Sequence, residues 1–147
     1  MKRDIKLKWF YNHSPEVIWD CLTKPELLNE WSSPTKAFKA EVGFKWMESQ
    51  KPRPAFNWDG KMYFEVLEVI PLKKLSYSFK GGPRPGEYNL DTVVTWKLIP
   101  KNNGTELHSE QTGFHGAKNY FSSIIMEFGW KKIVTKRLLP VLEKFFV

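Results

Sequence analysis

The feature that most constrains the fold is the run of alternating apolar and polar residues in the middle of the chain. In Leu75–Phe79, for example, large apolar side chains alternate with Ser76 and Ser78, the pattern of a strand buried on one face. Turns rich in Gly and Pro separate this segment from its neighbours. Because short connections join consecutive strands in opposite directions, the pattern predicts an antiparallel sheet.

About six to seven strands are expected. We predict them over Asp4–Phe10, Lys36–Val42, Phe44–Glu48, Met62–Ile70, Leu75–Phe79, Thr92–Ile99 and Thr105–Phe114. A hairpin turn is expected at Gly43, between the second strand and the third. The stretch Gln50–Asp59 contains two prolines and is predicted to be a loop that displays Phe56 and Trp58.

Two short helices are predicted after the first strand. Ser14 supplies an N-cap hydroxyl, and Pro15 stands at the first helical position, so a helix begins there. A second helix is predicted over Pro25–Glu30, with Trp31 at its end.

A long helix is predicted over Ala117–Val147, but its apolar face does not stay fixed. One stripe consists of Phe121, Ile124, Ile125 and Phe128, and a second of Trp130, Ile133, Val134, Leu138, Val141, Leu142 and Phe145. We expect a break or kink near Gly129, between the stripes, and a bend near Pro140. The alternative is one continuous helix buried on both sides.

Length and composition limit the class of protein. The 147 residues fit a single domain over 1–147. The N-terminus lacks the apolar core of a signal peptide, so we expect a cytoplasmic protein without stable membrane insertion. We also expect the protein to be a monomer. Cys21 is the single cysteine and there are three histidines, so neither a metal site nor a cofactor is expected. The net charge of +7 is spread over amphipathic elements, and we expect no nucleic-acid partner.

The order of the motifs resembles one known family. The residues that carry the resemblance are Ser14–Leu22, Thr23–Leu27, Trp31, Asp59–Gly60, Glu68–Leu75, Gly104–Leu107, Gly113–Phe114 and Gly129–Trp130. Together they resemble the START-like SRPBCC superfamily, in the branch named for the C-terminal domain of the activator of Hsp90 ATPase (AHSA1-like).

The resemblance implies an α+β helix-grip fold of the START/Bet v 1 type, with a curved antiparallel sheet wrapped on a long C-terminal helix. Members bind lipids, polyketides or other hydrophobic molecules in a cavity between helix and sheet, and a minority are cyclases or hydrolases. The branch also contains an Hsp90-stimulating module that relies on an additional N-terminal domain. We expect this chain to lack that domain, and we rank the Hsp90 role below ligand binding.

Thirteen residues are predicted to line the ligand site, most of them because a large side chain falls on an element that borders the concave face. They are Trp31, Phe38, Trp46, Phe56, Trp58, Met62, Tyr77, Phe79, Trp96, Ser109, Gln111, Met126 and Trp130. The alternative interpretation is that the aromatic residues simply fill the core.

Ser109 and Gln111 are the polar members of this set. They share one face of the last strand with Leu107 and Gly113, and we expect that face to point inward, where a polar ligand group would be their partner. Replacing Gln111 by Leu is then expected to weaken a polar ligand and leave stability nearly unchanged. In the other orientation His108 and two glutamates would face inward, which is costlier.

No catalytic centre is predicted. Cys21 lies on the apolar side of its helix, and the three histidines have no spacing that defines a site. Ligand binding without turnover is therefore our main hypothesis. A polyketide cyclase or hydrolase is the alternative, because such enzymes work mainly by shaping a flexible substrate.

Overall fold

The computed structural model describes residues 3–32 and 37–146. Within this part of the chain, six strands form one curved antiparallel sheet in the order β1-β6-β5-β4-β3-β2. The strands are β1 (Ile5–Tyr11), β2 (Lys45–Ser49), β3 (Lys61–Ile70), β4 (Lys74–Gly81), β5 (Leu90–Lys101) and β6 (Gly104–Thr112). The predicted α+β helix-grip fold is confirmed.

The two short helices follow β1 as predicted. They are α1 (Pro15–Thr23) and α2 (Pro25–Trp31). The Ser14 hydroxyl accepts a hydrogen bond from the backbone N–H of Val17 at 3.4 Å, which satisfies one of the free donors at the start of α1. A short 3-10 turn at Pro54–Phe56 lies in the loop between β2 and β3.

The strand predicted over Lys36–Val42 is wrong for residues 37–42, while residue 36 lies outside the described residues. The chain turns there, and the Phe44 N–H donates to the Glu41 carbonyl at 3.0 Å. Gly43 adopts a φ of +91°, which favours glycine. Its N–H donates to the carbonyl of Val66 at 2.8 Å. The turn is therefore bonded to β3 just before β2 begins, and the hairpin expected at Gly43 does not form.

The C-terminal helix runs through Gly129 without interruption, so the break predicted there is wrong. It consists of α3 (Ala117–Ile133), a π-helical turn at Val134–Leu138 and α4 (Leu139–Phe145). The irregular turn lies just before Pro140. Proline lacks an N–H, and its ring crowds the carbonyl four residues earlier, that of Lys136. The wider π turn accommodates both effects.

The two apolar stripes of this helix have different surroundings. In the second stripe, Val134, Leu138 and Leu142 are fully buried in the core between helix and sheet. In the first stripe, Phe121 and Phe128 are 60% and 69% exposed. The alternative of a helix buried on both sides is therefore wrong for α3.

Candidate functional site

A cavity of about 340 Å³ lies between α3 and the concave face of the sheet. The side of the cavity that the sheet forms is a wall of aromatic side chains from neighbouring strands. Trp46 of β2 pairs in register with Phe64 of β3, and Phe64 pairs with Phe79 of β4. The rings of Trp46 and Phe64 stack at 4.8 Å with only 10° between their planes. Tyr77 meets Trp46 edge to face at 5.3 Å, and these contacts fix the wall.

The roof of the cavity is the inner face of α3. Ser122, Met126, Gly129 and Trp130 line it, and their spacing of three or four residues places them on one side of a helix. A Cβ placed on Gly129 would meet no atom within 4 Å. The glycine therefore leaves open space over the sheet.

The structure brings eleven of the thirteen predicted site residues to the cavity wall. They are Trp31, Phe38, Trp46, Phe56, Trp58, Met62, Tyr77, Phe79, Trp96, Met126 and Trp130. Ser109 and Gln111 are each 1% exposed, on the inward face of β6 as predicted, but they are not part of the lining. They lie deeper, between β1 and β5.

The Gln111 amide is engaged by the protein itself. Its Nε2 donates to Thr92 Oγ1 at 2.9 Å, and its Oε1 accepts from the indole N–H of Trp130 at 2.9 Å. Thr92 Oγ1 donates in turn to the carbonyl of Phe79 at 2.8 Å. Gln111 therefore connects the sheet to the roof and orients Trp130.

Other indole N–H groups around the cavity also have protein acceptors. Trp31 donates to the carbonyl of Cys21 at 2.8 Å, and Trp58 donates to that of Lys61 at 2.9 Å. Trp96 donates to the Tyr77 hydroxyl at 3.1 Å. These bonds hold the rings in place and commit their donors to the protein.

Tyr77 places a hydroxyl in this apolar wall, with only 9% of the residue exposed. Burial raises the pKa of its phenol and the negative charge of Glu48 adds to the rise, whereas the bond from Trp96 opposes it. The phenol is therefore neutral at physiological pH.

Polar groups surround the mouth of the cavity. Asn119, at the start of α3, donates to the carbonyl of Asn89 at 2.7 Å, and Asn89 donates to that of Asn57 at 3.3 Å. These bonds link the helix to two loops that frame the opening. Gln50 and Arg53 also line this part of the cavity and are exposed.

Several lining residues were missed by sequence reasoning. Phe64 and Leu75 lie two residues from the predicted Met62 and Tyr77, on the same faces of their strands. The same period-two pattern would therefore have found them. Gly129 was interpreted as a break in the helix. Asn89 and Asn119 carry no signal in the sequence, because the fold alone brings their loops together.

The described residues show no arrangement that suits catalysis by a thiol or a metal. Cys21 is fully buried, and burial, together with nearby Asp20, raises the pKa of its thiol to about 12. His108 pairs with Glu106 at 2.6 Å, outside the cavity lining. No group of three or more potential metal ligands occurs within residues 3–32 and 37–146. In the same part of the chain, no helix is both long and apolar enough to cross a bilayer.

Comparison with known proteins places this geometry in context. The family model described as "Activator of Hsp90 ATPase homolog 1-like protein" matches residues 12–143. Among curated proteins, no match was found. The crystal structure of protein MLL2253 from Mesorhizobium loti is 31% identical, with a TM-score of 0.81, and the match covers 99% of this chain and 100% of that one.

Two more distant structures share the fold. The Aha1 dimer from Colwellia psychrerythraea is 19% identical, with a TM-score of 0.71 and coverage of 90% of this chain and 91% of that one. CalU16 from Micromonospora echinospora is also 19% identical, with a TM-score of 0.70 and coverage of 91% and 71%.

Proposed function

The chain belongs to the family of activator of Hsp90 ATPase homolog 1-like proteins, and from that premise we propose that it binds a small hydrophobic or aromatic molecule. The ligand is lipid- or polyketide-like and lies between α3 and the sheet. Binding proceeds without chemical conversion.

The observation that supports this proposal most directly is the cavity itself. Its volume of about 340 Å³ falls within the range of roughly 300 to 1,000 Å³ that holds small organic ligands. A well-packed core of this size leaves few voids larger than a water molecule, so the aromatic residues here do more than fill space.

Rigid aromatic walls favour a flat ligand. The stacked pair of Trp46 and Phe64 presents ring faces and edges that a planar molecule contacts without loss of side-chain freedom. The bonds that hold Trp58 and Trp130 keep other parts of the wall in place before a ligand arrives, and such preorganisation lowers the cost of binding.

The proposal is tested by titrating the protein with the flat hydrocarbon fluorene and following tryptophan emission. We expect saturable quenching. Gly129→Leu is the blocking variant, because its side chain extends into the open space under the roof, and we expect at least about tenfold weaker binding. Phe128→Leu, on the outer face of the same helix, is the matched control.

Mass spectrometry of the native protein, followed by analysis of copurifying small molecules, gives a second test. A bound hydrophobic molecule supports the proposal. Absence of saturable fluorene binding, or equal binding by wild type and Gly129→Leu, contradicts it.

The enzyme alternative has its own outcome. If esters, lactones or polyketide intermediates are converted and loss of one polar cavity residue abolishes the conversion, the protein is an enzyme of the cyclase or hydrolase type. Stimulation of the ATPase of a purified Hsp90 would instead support the co-chaperone role suggested by the family's name.

A further inference from the structure

The Tyr77 hydroxyl carries a hydrogen that the protein does not use. The phenolic oxygen accepts the indole N–H of Trp96 at 3.1 Å, and a tyrosine hydroxyl has one further donor to give. Among residues 3–32 and 37–146, no acceptor takes that hydrogen, even though the residue is largely buried and lines the cavity. A ligand that displaces solvent from this apolar cavity must supply an acceptor for the hydrogen or leave the donor unsatisfied, which is costly.

The hydrogen bond from Trp96 fixes the direction of the Tyr77 O–H. Trp96 is 2% exposed and its ring meets Trp31 and Trp130 edge to face, at 6.2 and 5.5 Å. The indole N–H occupies one lone pair of the phenol and restricts rotation of the O–H. Donation to an oxygen also strengthens the hydrogen bond that the same O–H makes onward.

Glu48 disfavours an anionic partner against the Tyr77 phenol, whereas the positively charged Arg53 lines the mouth of the cavity. Glu48 lines the same cavity, and its negative charge together with burial already raises the pKa of Tyr77. A carboxylate placed against the phenol would meet the same repulsion and would lose its hydration in an apolar wall.

We infer that the ligand is an uncharged, flat aromatic molecule with a carbonyl or ether oxygen that accepts the Tyr77 O–H. This inference rests on the proposed function and specifies the ligand class for that same cavity. The stacked aromatic wall selects planar shape, and Tyr77 selects an oxygen acceptor. A flat hydrocarbon fits the walls but leaves the phenolic hydrogen without a partner.

Fluorene and 9-fluorenone test the inference, since they share one planar skeleton and differ by the carbonyl oxygen. For each protein variant, the two dissociation constants are measured by quenching of tryptophan emission. We expect Tyr77→Phe to reduce the preference for fluorenone over fluorene by about 5- to 30-fold, the range expected for one buried hydrogen bond. Fluorene itself should bind Tyr77→Phe within about threefold of wild type.

Tyr63→Phe is the matched control, because it removes the same phenolic hydroxyl from a tyrosine of β3 that contacts Tyr88 and lies outside the cavity lining. We expect it to retain a preference for fluorenone, which Tyr77→Phe loses. Thermal unfolding of each variant is measured alongside to identify variants that do not fold.

A measurement on the wild-type protein alone keeps the test independent of folding. The infrared carbonyl stretch of bound fluorenone should shift to lower frequency than in a hydrocarbon solvent, since a hydrogen bond weakens the C=O bond. Fluorene-9-carboxylate should bind at least about 100-fold more weakly than fluorenone.

The outcomes separate this inference from the proposed function. If both probes bind but the carbonyl stretch is unshifted, or if Tyr77→Phe folds and keeps the wild-type preference, the ligand class is wrong while the binding function stands. Carboxylate binding as tight as that of fluorenone also overturns the ligand class. If neither fluorene nor fluorenone binds, both are overturned.

Discussion

The two halves of the C-terminal helix perform different tasks although they are continuous in the chain. The second half, from the π turn through α4, places Leu138 and Leu142 in the core with no exposed surface. The first half, α3, covers a cavity with its inner face and shows Phe121 and Phe128 on its outer face. The packing of the π turn and α4 in the core therefore holds α3 above the cavity.

The largest effect is expected where the helix is anchored. Leu138→Ala should lower the free energy of unfolding by about 2–5 kcal/mol, because it removes a fully buried side chain and leaves a cavity. Chemical denaturation measures the loss. A loss below about 1 kcal/mol would show that the second half does not anchor the helix.

The next effect concerns the link between sheet and roof. Gln111→Leu should lower stability by about 1–3 kcal/mol, since the Trp130 N–H loses its acceptor and Thr92 loses a donor. This replaces the expectation, based on sequence alone, that Leu would be tolerated.

A double-variant cycle with Trp130→Phe isolates that link. If Gln111 acts through Trp130, the combined loss in the double variant is smaller than the sum of the single losses. Strictly additive losses would show that Gln111 and Trp130 contribute to stability independently.

A gain in stability is expected at the roof. Gly129→Ala should raise the free energy of unfolding by about 0.5–1 kcal/mol, because alanine is the better helix former and the added Cβ meets no atom within 4 Å.

Gly43→Ala is the matched control for this prediction. A Cβ there also meets no atom within 4 Å, but the φ of +91° is unfavourable for alanine, so this variant should be less stable than wild type. If Gly129→Ala also loses stability, the space under the roof is not open.

The smallest effect is expected on the outer face of α3. Phe128→Gln should change the free energy of unfolding by less than about 0.5 kcal/mol, because 69% of the phenylalanine is exposed. Thermal and chemical unfolding both measure this change. A loss above about 1.5 kcal/mol would show that this face is covered in the protein in solution.

Local signals in the sequence were sufficient for much of this fold. The hydroxyl of Ser14 followed by Pro15 defines the start of α1, since the cap and the proline act within one turn. Period-two alternation identified β3 to β6 and placed residues such as Tyr77 and Trp96 on the inner face, because alternate side chains of a strand point to opposite sides.

Non-local partners account for what the sequence did not reveal. The pattern at residues 37–42 has the composition of a strand, but the backbone beside it bonds to Val66, far along the chain. Alternation also placed Gln111 correctly on the inner face, yet its amide is occupied by Trp130, which the helix brings into reach. Tertiary packing decides which hydrogen-bond partner each of these groups meets.

The pairing of β1 with β6 has a consequence for the order in which the protein assembles. Each strand from β2 to β5 pairs with the next one along the chain, whereas β1 pairs with the last strand, Ile5 lying opposite Gln111. During synthesis the first strand made must wait for the last, and joining such distant segments carries a large loop-closure entropy. Until β6 emerges, β1 lacks its sheet partner, and its docking is expected to be a late step of folding.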